Sequence, residues 1–220
     1  MKIFRLKTIL CLSLLCLGYT SVKADSYYDR RVSLFEFLPV YENDIVFLGN
    51  SITDGGEFSE LLKMPNVKNR GIASDVMGGV EKRLDQVLRG HPQKLFLLIG
   101  INDVSHKLTV EQLASRYSKL VKKIREISPD TKVYLQSVMP INNDFKRYKS
   151  LYGTENVIKG FNNQIARIAD EEGCVFIDLT AALSDPKTGK LKRNFTNDGL
   201  HLTGAGYKAW MEVVEPYVKE

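Results

Sequence analysis

The chain is poor in cysteine, and this limits how its fold can be held together. It has 3 cysteines in 220 residues, and two of them, Cys11 and Cys16, lie close to the N-terminus. If that segment is removed, only Cys174 remains, so we expect no disulfide within the chain and no zinc site built on paired cysteines. Cys174 opens an apolar run and is expected to pack as a small apolar side chain. The fold must therefore depend on its hydrophobic core.

Several motifs that bind nucleotides or metals are also missing. No Gly-x-Gly-x-x-Gly follows the first apolar run, and Thr188-Gly189-Lys190 lacks the upstream glycine of a phosphate-binding loop. The sequence contains no His-Glu-x-x-His zinc motif. It also lacks the Gly-x-Ser-x-Gly nucleophile elbow, which argues against the α/β-hydrolase fold. We therefore expect neither a cofactor nor a metal ion.

The N-terminus has the layout of a secretory signal peptide. A basic opening precedes an apolar run over residues 8–17, and small and polar residues follow as far as Ala24. We expect cleavage after Ala24 and export to the periplasm or the medium as a single domain of residues 25–220. The apolar run is too short for a stable bilayer span, so no membrane insertion is expected after cleavage. A retained interfacial or membrane helix is the alternative.

Removal of the signal peptide would also change the charge balance. The whole chain has a formal charge of +5, and residues 1–24 contain four basic and no acidic side chains, which leaves +1. The basic character is then mostly a targeting feature, and we expect no nucleic-acid partner. The sequence leaves the oligomeric state open.

Short apolar runs alternate with segments of helical periodicity. The predicted strands are residues 45–48, 66–70, 95–99, 132–138 and 174–177. The predicted helices are residues 76–89, 110–127 and 155–172, with a final helix capped by Thr203. Continuous apolar strands are typical of a parallel sheet covered on both faces. We predict an α/β fold, a three-layer flavodoxin-like sandwich with a five-stranded parallel sheet and helices on both faces.

Ligands of such sheets bind beyond the carboxyl ends of the strands, so the residues there are the candidates for function. Three short polar segments follow predicted strands and a fourth lies near the C-terminus: Gly49-Asn50-Ser51-Ile52, Asn69-Arg70-Gly71-Ile72, Gly100-Ile101-Asn102-Asp103 and Asp198-Gly199-Leu200-His201. Each alone is also a common turn or cap. Their joint presence in this order is the informative feature.

These four segments resemble the sequence blocks of the SGNH (GDSL-like) hydrolase family over about residues 44–215. The resemblance implies that Ser51 is the nucleophile of a serine esterase and that Asp198 and His201 complete a catalytic triad. The usual Gly-Asp-Ser-Leu reads Gly-Asn-Ser-Ile in this chain. The residue before the nucleophile is not a triad member, so this departure affects the subfamily rather than the activity. Platelet-activating-factor acetylhydrolase-like proteins and carbohydrate O-acetylesterases are the branches considered.

The chemistry of these residue types agrees with that assignment. A serine hydroxyl needs a base to take its proton as it attacks, and His201 can be that base near neutral pH. Asp198, three residues earlier, can share one face of a helical turn with it and fix its tautomer. The family pattern also implies an oxyanion hole made of the Ser51 and Gly71 backbone N–H groups and the Asn102 side-chain amide.

The remaining histidines and acidic residues compete less well for these roles. His91 precedes the third strand, at the wrong end of the sheet, whereas His106 follows Asn102 on the same loop and could lie near the site. Asp178 follows the fifth strand and is the alternative partner for a histidine. We expect surface or capping roles for Asp54 and Asp75.

The substrate is predicted from the longest irregular stretch, residues 139–154, and from the absence of an insertion that could form a lid. Asn142, Phe145 and Tyr148 lie there, and amides beside aromatic rings suit a sugar. An ordinary solvent-facing loop is the alternative. We predict hydrolysis of short-chain acyl esters, with acetyl esters of a glycan or another small molecule as substrates. A lysophospholipase or thioesterase, a non-catalytic carbohydrate-binding protein and, less favoured, a flavin-binding redox protein stay open.

Overall fold

The computed structural model describes residues 26–220. The signal-peptide prediction, with Cys11 and Cys16, lies outside the described residues and stays a prediction. Among the described residues, the strands are β1 (Ile45–Gly49), β2 (Val67–Gly71), β3 (Lys94–Leu98), β4 (Lys132–Gln136) and β5 (Val175–Ile177). The helices are α1 (Tyr27–Phe37), α2 (Ser51–Asp54), α3 (Phe58–Leu61), α4 (Met77–Lys82), α5 (Leu84–Leu88), α6 (Ile101–Ser105), α7 (Val110–Ile127), α8 (Glu155–Glu171), α9 (Thr180–Leu183) and α10 (Gly204–Lys219).

The five strands form one parallel sheet in the order β2-β1-β3-β4-β5. The α/β class, the parallel sheet and the flavodoxin-like order are therefore confirmed. β1 and β3 are buried along their whole length, which explains why their side chains are apolar at consecutive rather than alternate positions, apart from Lys94 at the start of β3. Because the strands are parallel, the carboxyl ends of β1, β2 and β3 lie at the same edge of the sheet. The strand order changes direction at β1, which is where ligands of such sheets bind.

One face of the sheet carries a row of stacked rings. Phe47, Phe96 and Tyr134 are in register on β1, β3 and β4, with ring centroids 4.8 and 4.3 Å apart. Phe58 of α3 stacks on Phe47 at 4.3 Å, and Trp210 of α10 meets Phe58 edge-on at 5.2 Å. α3 and α10 therefore cover this face, and the strand side chains between these rings point to the opposite layer.

The opposite layer contains α7 and α8, which pack on each other. Each has its apolar residues on one face, as the periodicity predicted, and Tyr117 of α7 meets Phe161 of α8 edge-on at 5.5 Å. The predicted bounds 110–127 are confirmed, including the capping box between Thr109 and Gln112. Helices thus lie on both faces of the sheet. No helix among residues 26–220 is long and apolar enough to cross a membrane.

Two local features differ from the prediction. The single helix expected over residues 76–89 is split into α4 and α5 at Arg83, whose φ is −114° and whose side chain turns inward to the strand ends. Thr203 does precede the last helix, but its hydroxyl donates to the carbonyl oxygen of Asn194 rather than capping the helix (2.9 Å). The lead-in before β1 contains α1, which the sequence reading did not identify.

Candidate active site

Ser51 lies at the carboxyl end of β1, on the first turn of α2. The side chain of Asn50 accepts the Ile52 N–H at 3.1 Å and so starts this short helix immediately after the strand. As the first residue of the helix, Ser51 has a backbone N–H with no partner inside the helix. Its hydroxyl and its N–H are therefore both available at the edge where the strand ends meet.

A chain of short contacts joins Ser51 to two residues near the C-terminus. The Ser51 Oγ lies 2.9 Å from His201 Nε2, and His201 Nδ1 lies 2.7 Å from Asp198 Oδ2. Because Nδ1 faces a carboxylate, it carries the ring proton, and Nε2 is then free to accept the Ser51 hydroxyl hydrogen. The arrangement can activate a serine hydroxyl and pass its proton to the imidazole.

The Asp-x-x-His spacing works here through a tight turn before α10 and not through a helical turn. Asp198 Oδ1 accepts the backbone N–H groups of Leu200 (2.9 Å) and His201 (2.8 Å). Gly199 has a φ of +91°, and a Cβ there would lie 2.2 Å from the carbonyl oxygen of Asn142, so only glycine fits. The turn aims the carboxylate and the imidazole at each other.

The Asp198 carboxyl is held in its charged form. Burial acts to raise its pKa, but the hydrogen bond from the His201 side chain and those from the Leu200 and His201 backbone lower the pKa well below its ordinary value. The Tyr148 hydroxyl adds a further donor. A carboxylate in this state can stabilise an imidazolium without taking its proton.

Asn102 lies at the start of α6, beyond the end of β3. Its Nδ2 donates one hydrogen to the backbone carbonyl oxygen of Asp75 at 2.8 Å, which fixes the plane of the amide. A side-chain amide has two hydrogens, so the second remains for a ligand. Asn102 and the Ser51 backbone thus each keep a hydrogen for the oxyanion role, which stays a prediction.

Gly71 is placed differently from the prediction. Its N–H donates to the Asn69 side chain at 2.7 Å and so is not free for an oxyanion. A Cβ on Gly71 would lie 2.2 Å from the backbone nitrogen of Asp54, so the glycine allows β2 to pack closely against α2. The same Asn69 donates to the Thr53 carbonyl oxygen at 2.7 Å and ties the two elements together. The structure therefore corrects Gly71 from oxyanion donor to close-packing residue.

Asp75, predicted to have a surface or capping role, does not lie at the surface, although its Oδ1 accepts the Val76 N–H just before α4 at 2.9 Å. It is 2% exposed and accepts from Arg83 Nε at 2.8 Å. Burial raises the pKa of the Asp75 carboxyl, against the opposing effect of the Arg83 guanidinium. Arg83 also donates to the carbonyl oxygens of Arg70 (2.8 Å) and Gly49 (3.1 Å), which are at the ends of β2 and β1. This buried pair, which sequence reasoning missed, supports the strand ends directly behind Ser51.

The other candidates lie apart from the Ser51–His201–Asp198 chain. Asp178 accepts the Thr180 N–H at 2.8 Å and has no contact with a histidine. His91 Nδ1 lies 3.1 Å from a serine hydroxyl at the opposite end of the sheet, and His106 is the exposed C-cap of α6. Asp54 accepts the Tyr27 hydroxyl at 2.7 Å and so ties α1 to the site's edge.

The three predicted substrate-binding residues have separate placements. Asn142 is 5% exposed, its Nδ2 donates to the Leu191 carbonyl oxygen at 2.8 Å and its Oδ1 accepts a backbone N–H, so the structure corrects it to a loop-supporting residue. Phe145 is half-buried beneath the guanidinium of Arg193, 4.8 Å from the ring centre. Tyr148 lies against the Asp198–His201 pair. Within residues 26–220, no cluster of three or more histidine, cysteine or acidic side chains could hold a metal ion.

Known proteins with a similar sequence or fold point to one family. The model of the GDSL-like lipase/acylhydrolase family matches residues 47–209. A Streptococcus pneumonia protein, provisionally assigned as a platelet activating factor, is 28% identical with a TM-score of 0.80, covering 87% of this chain and 92% of its own. A GDSL-like lipase from Bacteroides thetaiotaomicron is 21% identical with a TM-score of 0.76, over 87% and 97% of the two chains.

A mutant of an acetyl-xylooligosaccharide esterase from Geobacillus Stearmophilus shares the fold at 18% identity and a TM-score of 0.65, over 83% of this chain and 97% of its own. A search of curated proteins finds no match. The family model covers most of the chain, including the segments that carry Ser51, Asn102, Asp198 and His201. The chain therefore belongs to the GDSL-like lipase/acylhydrolase family, the SGNH hydrolases.

Proposed function

We propose that this chain is an exported serine esterase that removes short acyl groups, acetyl above all, from carbohydrate esters. The chain belongs to a family of serine esterases and acylhydrolases, so esterase or acylhydrolase activity follows from the family itself. The acetyl group, the carbohydrate and the export are the parts that we propose. The single observation that carries the residue roles is the unbroken chain from Ser51 Oγ through His201 to Asp198, with contacts of 2.9 and 2.7 Å.

The reaction follows from the positions of these groups. Ser51 Oγ attacks the ester carbonyl carbon while His201 Nε2 takes its proton, and the carbonyl oxygen becomes an oxyanion. The Ser51 N–H and the free hydrogen of the Asn102 amide are the donors for this oxyanion. His201 then gives the proton to the departing alcohol, which leaves an acyl group on Ser51. Water, activated by the same histidine, releases the acid and restores the serine.

Two observations support the preference for carbohydrate esters. The loop of residues 139–154 lies directly beside His201, since Tyr148 contacts it, and Tyr152 on this loop is 40% exposed. An exposed aromatic ring on the loop that contacts His201 suits the apolar face of a sugar. One neighbour in fold is an acetyl-xylooligosaccharide esterase, which makes that substrate class the natural one to test.

An ester of a lipid alcohol is the second candidate. The observation in its favour is the 28% identical protein that has been provisionally assigned as a platelet activating factor. Lysophospholipids belong to this candidate class, and a thioester, which releases a thiol in place of an alcohol, is the remaining alternative. The two substrate classes differ in the alcohol rather than in the chemistry at Ser51, so the same assay can separate them.

The test is hydrolysis by residues 25–220 of p-nitrophenyl acetate, longer p-nitrophenyl esters, acetylated xylooligosaccharides and a lysophospholipid. We expect Ser51→Ala to reduce kcat by about 10⁴–10⁶-fold. Ser115→Ala on the exposed side of α7 is the matched control and should leave the rate unchanged. Equal rates for wild type and a folded Ser51→Ala variant would refute the nucleophile assignment, and glycan binding without hydrolysis would favour a binding protein.

Export is proposed from the signal-peptide pattern alone. Expression of the full chain in a bacterial host should give a processed protein in the periplasm or the medium. N-terminal sequencing should then begin at Asp25, because the proposed cleavage follows Ala24. A protein that keeps residues 1–24 and pellets with membranes would show the retained-helix alternative instead.

A further inference from the structure

Tyr148 makes three contacts with the residues proposed to activate Ser51. Its hydroxyl oxygen lies 2.9 Å from Asp198 Oδ2 and 3.1 Å from His201 Nδ1. Its ring meets the imidazole edge-on, with centroids 5.7 Å apart and an interplanar angle of 70°. The same Asp198 Oδ2 accepts the His201 Nδ1–H at 2.7 Å. A phenol, a carboxylate oxygen and an imidazole nitrogen thus form a closed triangle.

The hydrogens in this triangle can be assigned by counting. The phenol has one hydrogen, and His201 Nδ1 already carries its own because Nε2 must accept from Ser51. The Tyr148 hydroxyl therefore donates to Asp198, and its oxygen lone pair faces the Nδ1–H of His201. Burial, then the hydrogen bond to Asp198, raises the pKa of Tyr148 to about 12, so the phenol keeps this hydrogen at neutral pH.

We infer that Tyr148 is a positioning residue for the Asp198–His201 pair, and not the substrate contact that the sequence suggested. This inference rests on the proposed function, because it concerns the same reaction. Tyr148 adds to the donors on Asp198: the backbone N–H groups of Leu200 and His201 and the Thr196 hydroxyl hold Oδ1, and Tyr148 with His201 holds Oδ2. A carboxylate held by five donors has little freedom to rotate away from the imidazole.

The loop that carries Tyr148 is built to keep it there. The backbone carbonyl oxygen of Tyr148 accepts the N–H of Leu151 at 3.0 Å, and the Leu151 side chain is buried, with 3% exposed. At the other side, the Asn142 N–H donates to the carbonyl oxygen of Gly199 at 2.8 Å, so the loop is joined to the turn between Asp198 and His201. The turn and the loop therefore hold the two sides of the triangle in one unit.

The mechanism gives Tyr148 a role when charge develops. As His201 takes the Ser51 proton, its ring becomes positive, and the Tyr148 oxygen and the Asp198 carboxylate both face the charged Nδ1–H. Loss of the hydroxyl removes one acceptor from the imidazolium and one donor from Asp198. We expect Tyr148→Phe to lower kcat by about 10–100-fold and to leave KM within about twofold, since the lost contacts strengthen only in the transition state.

The matched control is Tyr41→Phe, the same change at a side chain that is 59% exposed and precedes β1, at the opposite end of the sheet from Ser51. Both variants are compared with wild type by kcat and KM on p-nitrophenyl acetate, by thermal melting and by the rate at which a fluorophosphonate modifies Ser51. Tyr148→Phe should slow both hydrolysis and modification of Ser51, whereas Tyr41→Phe should slow neither. The fluorophosphonate reaction needs the same proton transfer but makes few substrate contacts.

The outcomes separate this inference from the proposed function. A raised KM with unchanged kcat in Tyr148→Phe would overturn it in favour of substrate contact, and unchanged kinetics would show that the hydroxyl is idle. Either result, with hydrolysis still dependent on Ser51, leaves the proposed function standing. Hydrolysis that survives Ser51→Ala overturns the proposed function itself.

Discussion

Ser51 and His201 meet at 2.9 Å, but the protein supports them in different ways. The nucleophile side comprises Ser51, the strand end before it and the loop of residues 71–76. It is held by β1, which is fully buried, and by Arg83, whose side chain is 2% exposed and donates to the carbonyl oxygen of Gly49. Support here comes from buried charge and from sheet packing that are part of the folding core.

The base side comprises the turn of residues 196–201 and the loop of residues 139–154. The His201 side chain is 36% exposed, and the Asp198 side chain is 17% exposed. The contacts that hold them are hydrogen bonds within the turn and one from Tyr148. We therefore expect substitutions on the base side to lower mainly the reaction rate. Substitutions behind the nucleophile should lower mainly the free energy of unfolding.

The largest expected effect is the loss of rate in Asp198→Asn. The amide cannot hold the His201 tautomer that accepts from Ser51, so kcat should fall about 10⁴-fold while the free energy of unfolding falls by only about 1 kcal/mol. Steady-state kinetics and urea unfolding measure the two quantities. Asp130→Asn at an exposed position is the control and should change neither.

The same variant has a defined pH signature. The pKa of Asp198 is lower in the folded protein than in the unfolded chain, so the carboxylate stabilises the fold above the ordinary aspartate pKa. That stabilisation is lost as the pH falls from the ordinary value towards the lowered one. Wild type and Asp198→Asn should therefore converge in stability in acid, and a constant difference at all pH values would contradict the assignment.

The next effect is on folding. Arg83→Leu leaves Asp75 as a buried, unpaired carboxylate and removes the donor to two strand-end carbonyl oxygens. We expect the free energy of unfolding to fall by about 3–5 kcal/mol. Lys82→Leu, at the exposed neighbouring position, should stay within about 0.5 kcal/mol of wild type.

A second substitution distinguishes the charge from the packing. In the double variant Arg83→Leu/Asp75→Leu the buried charge is gone, and part of the stability should return. If Arg83→Leu lowers the free energy of unfolding by less than about 1 kcal/mol, the buried pair does not support the nucleophile side. The contrast between the two sides of the site would then be wrong.

The fold was predictable from the sequence because its signals are local. The apolar runs of β1 and β3 and the capping box of α7 specify their elements within a few residues, and the order of elements restricts the topology. The short spacing of Asp198 and His201 made a contact between them plausible, but their catalytic role was implied by the family resemblance. Family resemblance supplied the partnership with Ser51, which lies 150 residues away in sequence.

The misplaced residues depend on distant contacts that no local pattern encodes. Tyr148 meets Asp198 across 50 residues, through the path of an irregular loop. The sequence around Asp75 is typical of a surface loop. The structure buries Asp75 because Arg83 ends α4 and its side chain turns into the core to meet the carboxylate. The break at Arg83 was the one available signal, because an arginine among the apolar positions of a helix needs a buried partner.

The smallest expected effect tests the corrected position of Gly71. A Cβ there would lie 2.2 Å from the backbone nitrogen of Asp54 and 2.6 Å from the Thr53 carbonyl carbon, so α2 would have to shift. We expect Gly71→Ala to lower the free energy of unfolding by about 1–3 kcal/mol and to reduce kcat, because α2 carries Ser51. Gly78→Ala on α4 meets nothing within 4 Å and should be neutral or stabilising by up to about 1 kcal/mol. Unfolding in urea compares the two, and equal stability of Gly71→Ala and wild type would mean that β2 and α2 do not depend on this close approach.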